Sequence, residues 1–503
     1  MSAALISLLL LAAEPPPAPP APAPVRRYAI IIGVNDPFTS AQKPLSYADD
    51  DAVRFYSLFR ELPGEAALFT LLDEETQRLY PEAAPEAELP EKEAIFARAD
   101  RMFQAIAADK ARGVSTELYL IYSGHGLVDE RGEGRLGLRG GTFSRTELYE
   151  RFLARSPASV NHLIVDACDA YFFVQARGND PDVDQMLSAR AREFLDRQTL
   201  ARFPTTGAIL STASMAESHE WSEIKGGVFS HQVRSAILGA ADADGDGRIS
   251  YDELEAFVLA ANLGVKHAGA SRAVFVRAPE RDRQHPVLEL SALARAHRLL
   301  VPPGLGGRIA IADDQGRRYL DLNKATGFGL VLALLPGLHY FVTREDADYL
   351  VPGEGKETDL SLLAAAAPTL RARGAGIADA YEKGLFAVPF GPQLVDGFRL
   401  GLRASSQAVL VPDESHPLRT ASLVTGSLAA ALSGVAIGFW AAGNGAAENY
   451  AEVVKTGTPR QQQAASAQVQ DWDTRTNVAV GAAIGLGVTA LGLLGLDLLE
   501  VKF

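Results

Sequence analysis

The chain has 503 residues, 47% apolar and 22% charged, which is the balance of a globular protein with room for two or three domains. Its formal charge of −14 argues against a nucleic-acid partner, which would call for a basic patch, and acids outnumber bases eleven to three between residues 61 and 100. A single cysteine, Cys168, excludes an intramolecular disulfide and any cysteine-built zinc site, so that thiol is either inert packing or a reactive group.

At the N-terminus, the apolar run within residues 1–13 is too short to span a bilayer and fits the h-region of a signal peptide, although no Lys or Arg precedes it. The Pro/Ala-rich stretch 14–25 reads as a stiff extended linker. From Arg26 the pattern alternates. "RRYAIIIGVND" is a buried strand, and "ADDDAVRFYSLFREL" is a helix with acids at its favourable end. "AALFTLL" is a second strand, and "EKEAIFARADRMFQAIAADKARG" is a helix with Ile95, Ala99, Met102, Phe103 and Ile106 on one face. "TELYLIYSGHG" is a third strand. In "FSRTELYERFLAR", Ser144 and Glu147 have capping-box spacing before a helix. "VNHLIVDAC" and "TGAILSTAS" follow as strands. Strands alternating with amphipathic helices specify an α/β domain with a mostly parallel sheet flanked by helices, extending over 26–297.

Two strands end in reactive side chains, His125 and Cys168, and ligands gather at the carboxyl ends of parallel strands. If these strands are neighbours, His125 serves as base or as imidazolium partner to the thiol. The glycines beside His125 allow a backbone N–H to hold an oxyanion.

"YAIIIGVN", "YADDDAVRFYSLF", "YLIYSGHG" and "LIVDAC" resemble, in order and spacing, the caspase-like cysteine peptidases of the bacterial and metacaspase branches. The resemblance covers Arg26 to His297. It implies a caspase–hemoglobinase-like fold, a catalytic dyad of His125 and Cys168, and oxyanion donors from the backbone of Gly126 and Cys168. It further implies substrate-binding carboxylates at Asp51 and Asp166 that select Arg or Lys. Asp49 and Asp50 adjoin Asp51, so that choice depends on register; a helix cap and a loop hydrogen bond are the plainer roles for Asp51 and Asp166. The chain departs from the family in following Cys168 with Asp169-Ala170-Tyr171 instead of x-Ser-Gly. An acid there opposes thiolate formation, which leaves a second reading open, a catalytically inactive interaction or scaffold protein with the same fold.

"DADGDGRISYDE" (242–253) has the spacing of an EF-hand loop between helices. Asp242, Asp244, Asp246 and Glu253 would offer carboxylate oxygens and Arg248 a carbonyl to Ca2+, although no second loop accompanies it. The chemistry itself requires no cofactor. His162, His219 and His231 lack metal-ligand spacing and read as packed or solvated.

Residues 298–415 change to short strand candidates separated by Gly, Asp and Pro, a small β-rich accessory domain for an unknown protein partner. Residues 370–415 show no clear pattern. Two segments, 421–443 and 477–498, carry apolar runs long enough to cross a bilayer and are rich in small residues, so a C-terminal transmembrane helical hairpin is expected in contact with membrane lipid. With a working signal peptide, the N-terminal domains would be exported. The sequence thus points to a membrane-anchored peptidase acting on a polypeptide substrate.

Overall fold

The computed structural model describes residues 25–40, 42–130, 132–167, 170, 200–211, 220–265, 274–344, 347–353, 355–366 and 384–404, with a few isolated positions beyond. The signal-peptide segment, Cys168, Asp169 and both apolar C-terminal segments lie outside these residues. Among the described residues no helix is long and apolar enough to cross a membrane. The chain divides into two compact units. The first comprises 1–234, 267–296 and 335–338, and the second the remainder.

The first unit is α/β. Strands β1 (Val25–Val34), β2 (Gly64–Thr70), β3 (Ala87–Glu88), β4 (Ser115–Gly124), β8 (Val160–Asp166) and β9 (Thr206–Ser211) are joined by an edge strand, Val274–Arg277. The sheet runs edge strand, β9, β8, β4, β1, β2, β3, and every pairing is parallel except that of the edge strand. Three antiparallel strands between β4 and β8, β5 (Gly126–Val128), β6 (Gly134–Leu138) and β7 (Gly141–Ser144), form a separate small sheet.

Both faces of the large sheet are covered, which is why its strands read as unbroken apolar runs. Tyr28, Ile30 and Ile32 of β1 and Leu118, Leu120 and Tyr122 of β4 pack on the helix Lys92–Ala111, through Ile95, Ala99, Met102, Phe103 and Ile106. The opposite face carries helix α1 (Ala48–Phe59), where Phe59 meets Tyr119 edge-on at 4.7 Å. The chain passes from β1 to β2 on one side, then returns to set β4 on the other side of β1. That reversal opens a crevice between the carboxyl ends of β1 and β4, where open α/β sheets bind ligands.

Among its described residues the second unit includes the α-helices Tyr251–Asn262 and Pro392–Ala404, which pack on each other. It also holds a three-stranded sheet (Leu330–Leu334, His297–Val301, Glu357–Asp359) and a five-stranded antiparallel one (Arg318–Lys324, Gly307–Asp313, Tyr340–Arg344, Ala347–Val351, Ala365–Ala366). Helix Pro392–Ala404 falls in the stretch where the sequence showed no pattern; Gly397 and Gly401 within it weaken the helical signal.

Candidate active site

The carboxyl ends of β1, β4 and β8 lie in register, with Gly33 beside Ser123 and Ser123 beside Asp166. His125 follows β4 directly. Gly124 before it has φ of +156°, and a Cβ there would stand 2.5 Å from the Tyr122 hydroxyl, so the turn requires glycine. The His125 carbonyl accepts the Gly137 N–H at 2.8 Å and lies 2.9 Å from the Tyr122 hydroxyl, which fixes the backbone of this residue. Its ring Nε2 stands 2.8 Å from the Lys43 carbonyl oxygen. A carbonyl only accepts, so Nε2 carries the proton and the neutral ring presents Nδ1 as its basic atom. Burial lowers the pKa of the ring below its ordinary value, with the Lys43 carbonyl acting in the other direction. Gly126 is buried at the start of β5.

Helix α1 opens with three consecutive aspartates, all buried, and each has a different partner. Asp49 accepts from the Asn35 side chain at 2.7 Å and from the Asp73 N–H at 3.0 Å. Asp50 accepts from the Thr76 hydroxyl at 3.1 Å. Asp51 faces the crevice. Its Oδ2 accepts the Gly227 N–H at 2.7 Å and lies 3.5 Å from the Ser123 hydroxyl, while Oδ1 is 3.8 Å from the Arg54 guanidinium. Asp51 is no helix cap, because Tyr47 holds that position.

Asp166 is half-buried at the end of β8, and its Oδ2 accepts the Ser230 N–H at 3.1 Å and the Ser230 hydroxyl at 2.8 Å. A Cβ added to Gly227 would lie 2.6 Å from Asp166 Oδ2 and 2.9 Å from Asp51 Oδ2. Both carboxylates therefore converge on the same glycine. Burial holds the Asp51 carboxyl well above the usual range; Arg54 pulls it down, and the charge of Asp166 pushes it further up. A cation placed against this pair relieves their mutual repulsion.

No family model, curated protein or solved structure matches the chain.

The structure thus brings His125, Gly126, Asp51 and Asp166 to the carboxyl end of the central strands. It also adds partners that sequence reading missed: Ser123, the Gly226–Gly227 strand and Ser230. Glu220 joins them from a distance, accepting the N–H groups of Ser46 and Tyr47 and so anchoring the entry to α1.

In the second unit, Asp242, Asp244 and Asp246 each bring a carboxylate oxygen within 4.8 Å of the other two. Asp242 is 2% exposed, and its Oδ1 has no hydrogen-bond partner. Gly245 and Gly247 have φ near +75°, which allows the tight turn. Glu253 is engaged differently: its two oxygens accept the N–H groups of Ala243 and Ser250, forming a capping box with the Ser250 side chain. A buried carboxylate oxygen with no donor, facing two more carboxylates, fits a hard divalent cation. Asp242, Asp244 and Asp246 would hold it, the Arg248 carbonyl could add an oxygen, Glu253 would join only by leaving its capping box, and the ion would offset the charge of the three carboxylates.

Proposed function

We propose that the chain is a membrane-anchored, caspase-like cysteine endopeptidase that cleaves after Arg or Lys, with calcium bound at 242–253. The observation that carries this reading is the convergence of Asp51 and Asp166 on Gly227, beside the strand end that delivers His125. Asp51 arrives on α1 after β1 and Asp166 on β8, yet their oxygens share one glycine, whose missing side chain leaves space against both. Two carboxylates in a partly water-excluded crevice bind a guanidinium or ammonium by charge-assisted hydrogen bonds. Asp166, the more exposed of the two, would make the direct contact, and a cation bound there would favour ionisation of Asp51 behind it, whose carboxyl burial otherwise pushes toward the neutral form.

In this mechanism His125 Nδ1 takes the proton of the Cys168 thiol, and the resulting thiolate attacks the peptide carbonyl carbon, forming the C–S bond, while the N–H groups of Gly126 and Cys168 hold the developing oxyanion. The C–N bond then breaks as His125 gives a proton to the departing amine. Water, deprotonated by His125, hydrolyses the thioester and restores the thiol. The apolar segments 421–443 and 477–498 would fix the protein in a bilayer, with the peptidase unit exported.

The test is hydrolysis of fluorogenic peptides ending in Arg, Lys or Asp by the full chain, with and without calcium, beside Cys168→Ala and Asp166→Asn. Cleavage after Arg or Lys is expected to vanish in Cys168→Ala. In Asp166→Asn, kcat/KM should fall by roughly 10- to 100-fold, the range for losing a charge-assisted contact. Cleavage after Asp alone would sink the acidic-pocket assignment. A folded, calcium-loaded chain that cleaves none of them would favour the interaction-protein reading, for which Asp169 beside the thiol is the supporting feature.

A further inference from the structure

A second polar centre lies at the opposite end of the same strands. Glu117 is the third residue of β4 and His162 the third of β8, and the pairing of Tyr119 with His162 sets them on one face of the sheet. His285, from the segment after the edge strand, brings Nε2 to 3.1 Å from Glu117 Oε1. One donor atom from each of the three residues lies within 4.8 Å of the others. The His162 ring is fully buried, stacked on Tyr119 at 4.3 Å, with its centroid 5.7 Å from that of His285.

The other carboxylate oxygen, Glu117 Oε2, is held from behind by Arg27 Nε at 2.8 Å and by the Tyr119 hydroxyl at 2.9 Å. Outer partners of this kind orient a ligating carboxylate and leave one oxygen facing the metal. Arg27 also lies 3.8 Å from Glu289, so its charge is shared between two carboxylates and does not cancel that of Glu117 alone. A simple ion pair would be complete with Arg27 and Glu117, and it gives no reason for two imidazoles to gather beside the same carboxylate, one of them on the oxygen that Arg27 leaves open. Two imidazoles and one carboxylate are the donor set of three-ligand zinc sites, with a fourth position left for water. The His285 side chain is 21% exposed and gives that position a route to solvent.

We propose that Glu117, His162 and His285 bind a divalent transition metal of the zinc class, which clasps the 285 segment onto the central strands. The nitrogen donors set this site apart from the all-oxygen loop at 242–253, which suits calcium. Nothing in the proposal depends on peptidase activity, so its outcome is separate from that of the active-site reading.

The test uses the full chain, stripped with a chelator and held in excess calcium so that the aspartate loop is filled, then titrated with Co2+. Visible d–d bands of four-coordinate cobalt are expected to saturate at one equivalent and to be displaced by Zn2+. His285→Gln should raise the Co2+ dissociation constant at least tenfold, the order seen when a metal site loses a supporting group. Asp244→Asn should leave the bands intact. His285→Cys keeps three ligands and should add a thiolate-to-cobalt charge-transfer band, a gain of signal that misfolding cannot imitate. Absence of bands in the folded wild-type chain would overturn the proposal, as would equal affinity in a folded His285→Gln or loss of the bands in Asp244→Asn.

Discussion

At His125 a single contact decides the chemistry the ring can do. The Lys43 carbonyl accepts the Nε2 proton, so Nδ1 is the basic atom of the neutral ring, and burial keeps the ring neutral to lower pH than a free histidine. The folded pKa lies below the unfolded one, so the ring favours folding above about pH 6.5 and that contribution is lost as pH falls through the folded value. In Cys168→Ala, NMR titration of the His125 ring should therefore give a midpoint below about 6.5, with the Nε2 tautomer in the neutral form. A midpoint above that value would mean that a negative charge near the ring outweighs its burial. His125 was legible in the sequence because it follows an apolar run, whereas Asp51 and Asp166 were singled out only through the family resemblance, with Asp49 and Asp50 as neighbours of equal kind. Their partners were not legible. Gly227 donates to Asp51 across 176 residues of chain, and His162, with no metal spacing, meets Glu117 through strand pairing and His285 through the segment that follows the edge strand. Spacing along the chain carries no signal for groups that separate segments bring together.

Between elements, the placement of α1 on β1 governs Asp51. Gly33, near the end of β1, sits so close to α1 that an added Cβ would stand 2.4 Å from the Ala48 carbonyl oxygen and 2.7 Å from the Ala52 Cβ. Backbone oxygen cannot swing aside, so Gly33→Ala has to push the helix off the strand. Overpacking of this kind costs about 1–3 kcal/mol. The urea midpoint of the full chain should fall accordingly while the slope stays constant. An unchanged midpoint would show that α1 shifts freely and that Asp51 is not positioned by this contact. The elements of the large sheet were readable because both-face burial demands long apolar runs and helices of regular period. The sheet of β5, β6 and β7 was not. Its strands are three to five residues long and interrupted by Gly134, Gly137 and Gly141, which leaves no alternation to detect. Yet Gly137 in this small sheet donates the hydrogen bond that fixes the His125 carbonyl.

For the molecule as a whole, the two units carry different charge problems. In the first, buried acids meet Arg27, Arg54 and backbone N–H groups. In the second, the loop 242–253 gathers three aspartates, with Asp242 Oδ1 buried and without a donor, at the entry to helix Tyr251–Asn262. That helix packs on Pro392–Ala404, and Phe257 meets Phe390, just before the second helix, edge-on at 5.2 Å. Filling the loop with calcium should thus stiffen this helix pair first, since ligand binding to the folded loop adds stability where opening would break the site. Hydrogen exchange on the full chain should slow in peptides from 242–262 and 384–404 on adding calcium, while peptides from β1 and β4 exchange at unchanged rates. Asp242→Asn should abolish the effect, and magnesium should reproduce it weakly because a smaller ion dehydrates reluctantly. Equal slowing in both units would show that calcium acts on the whole chain. No slowing anywhere would mean that the loop is held by its own turns, with Asp242 buried at a cost that the rest of the fold bears.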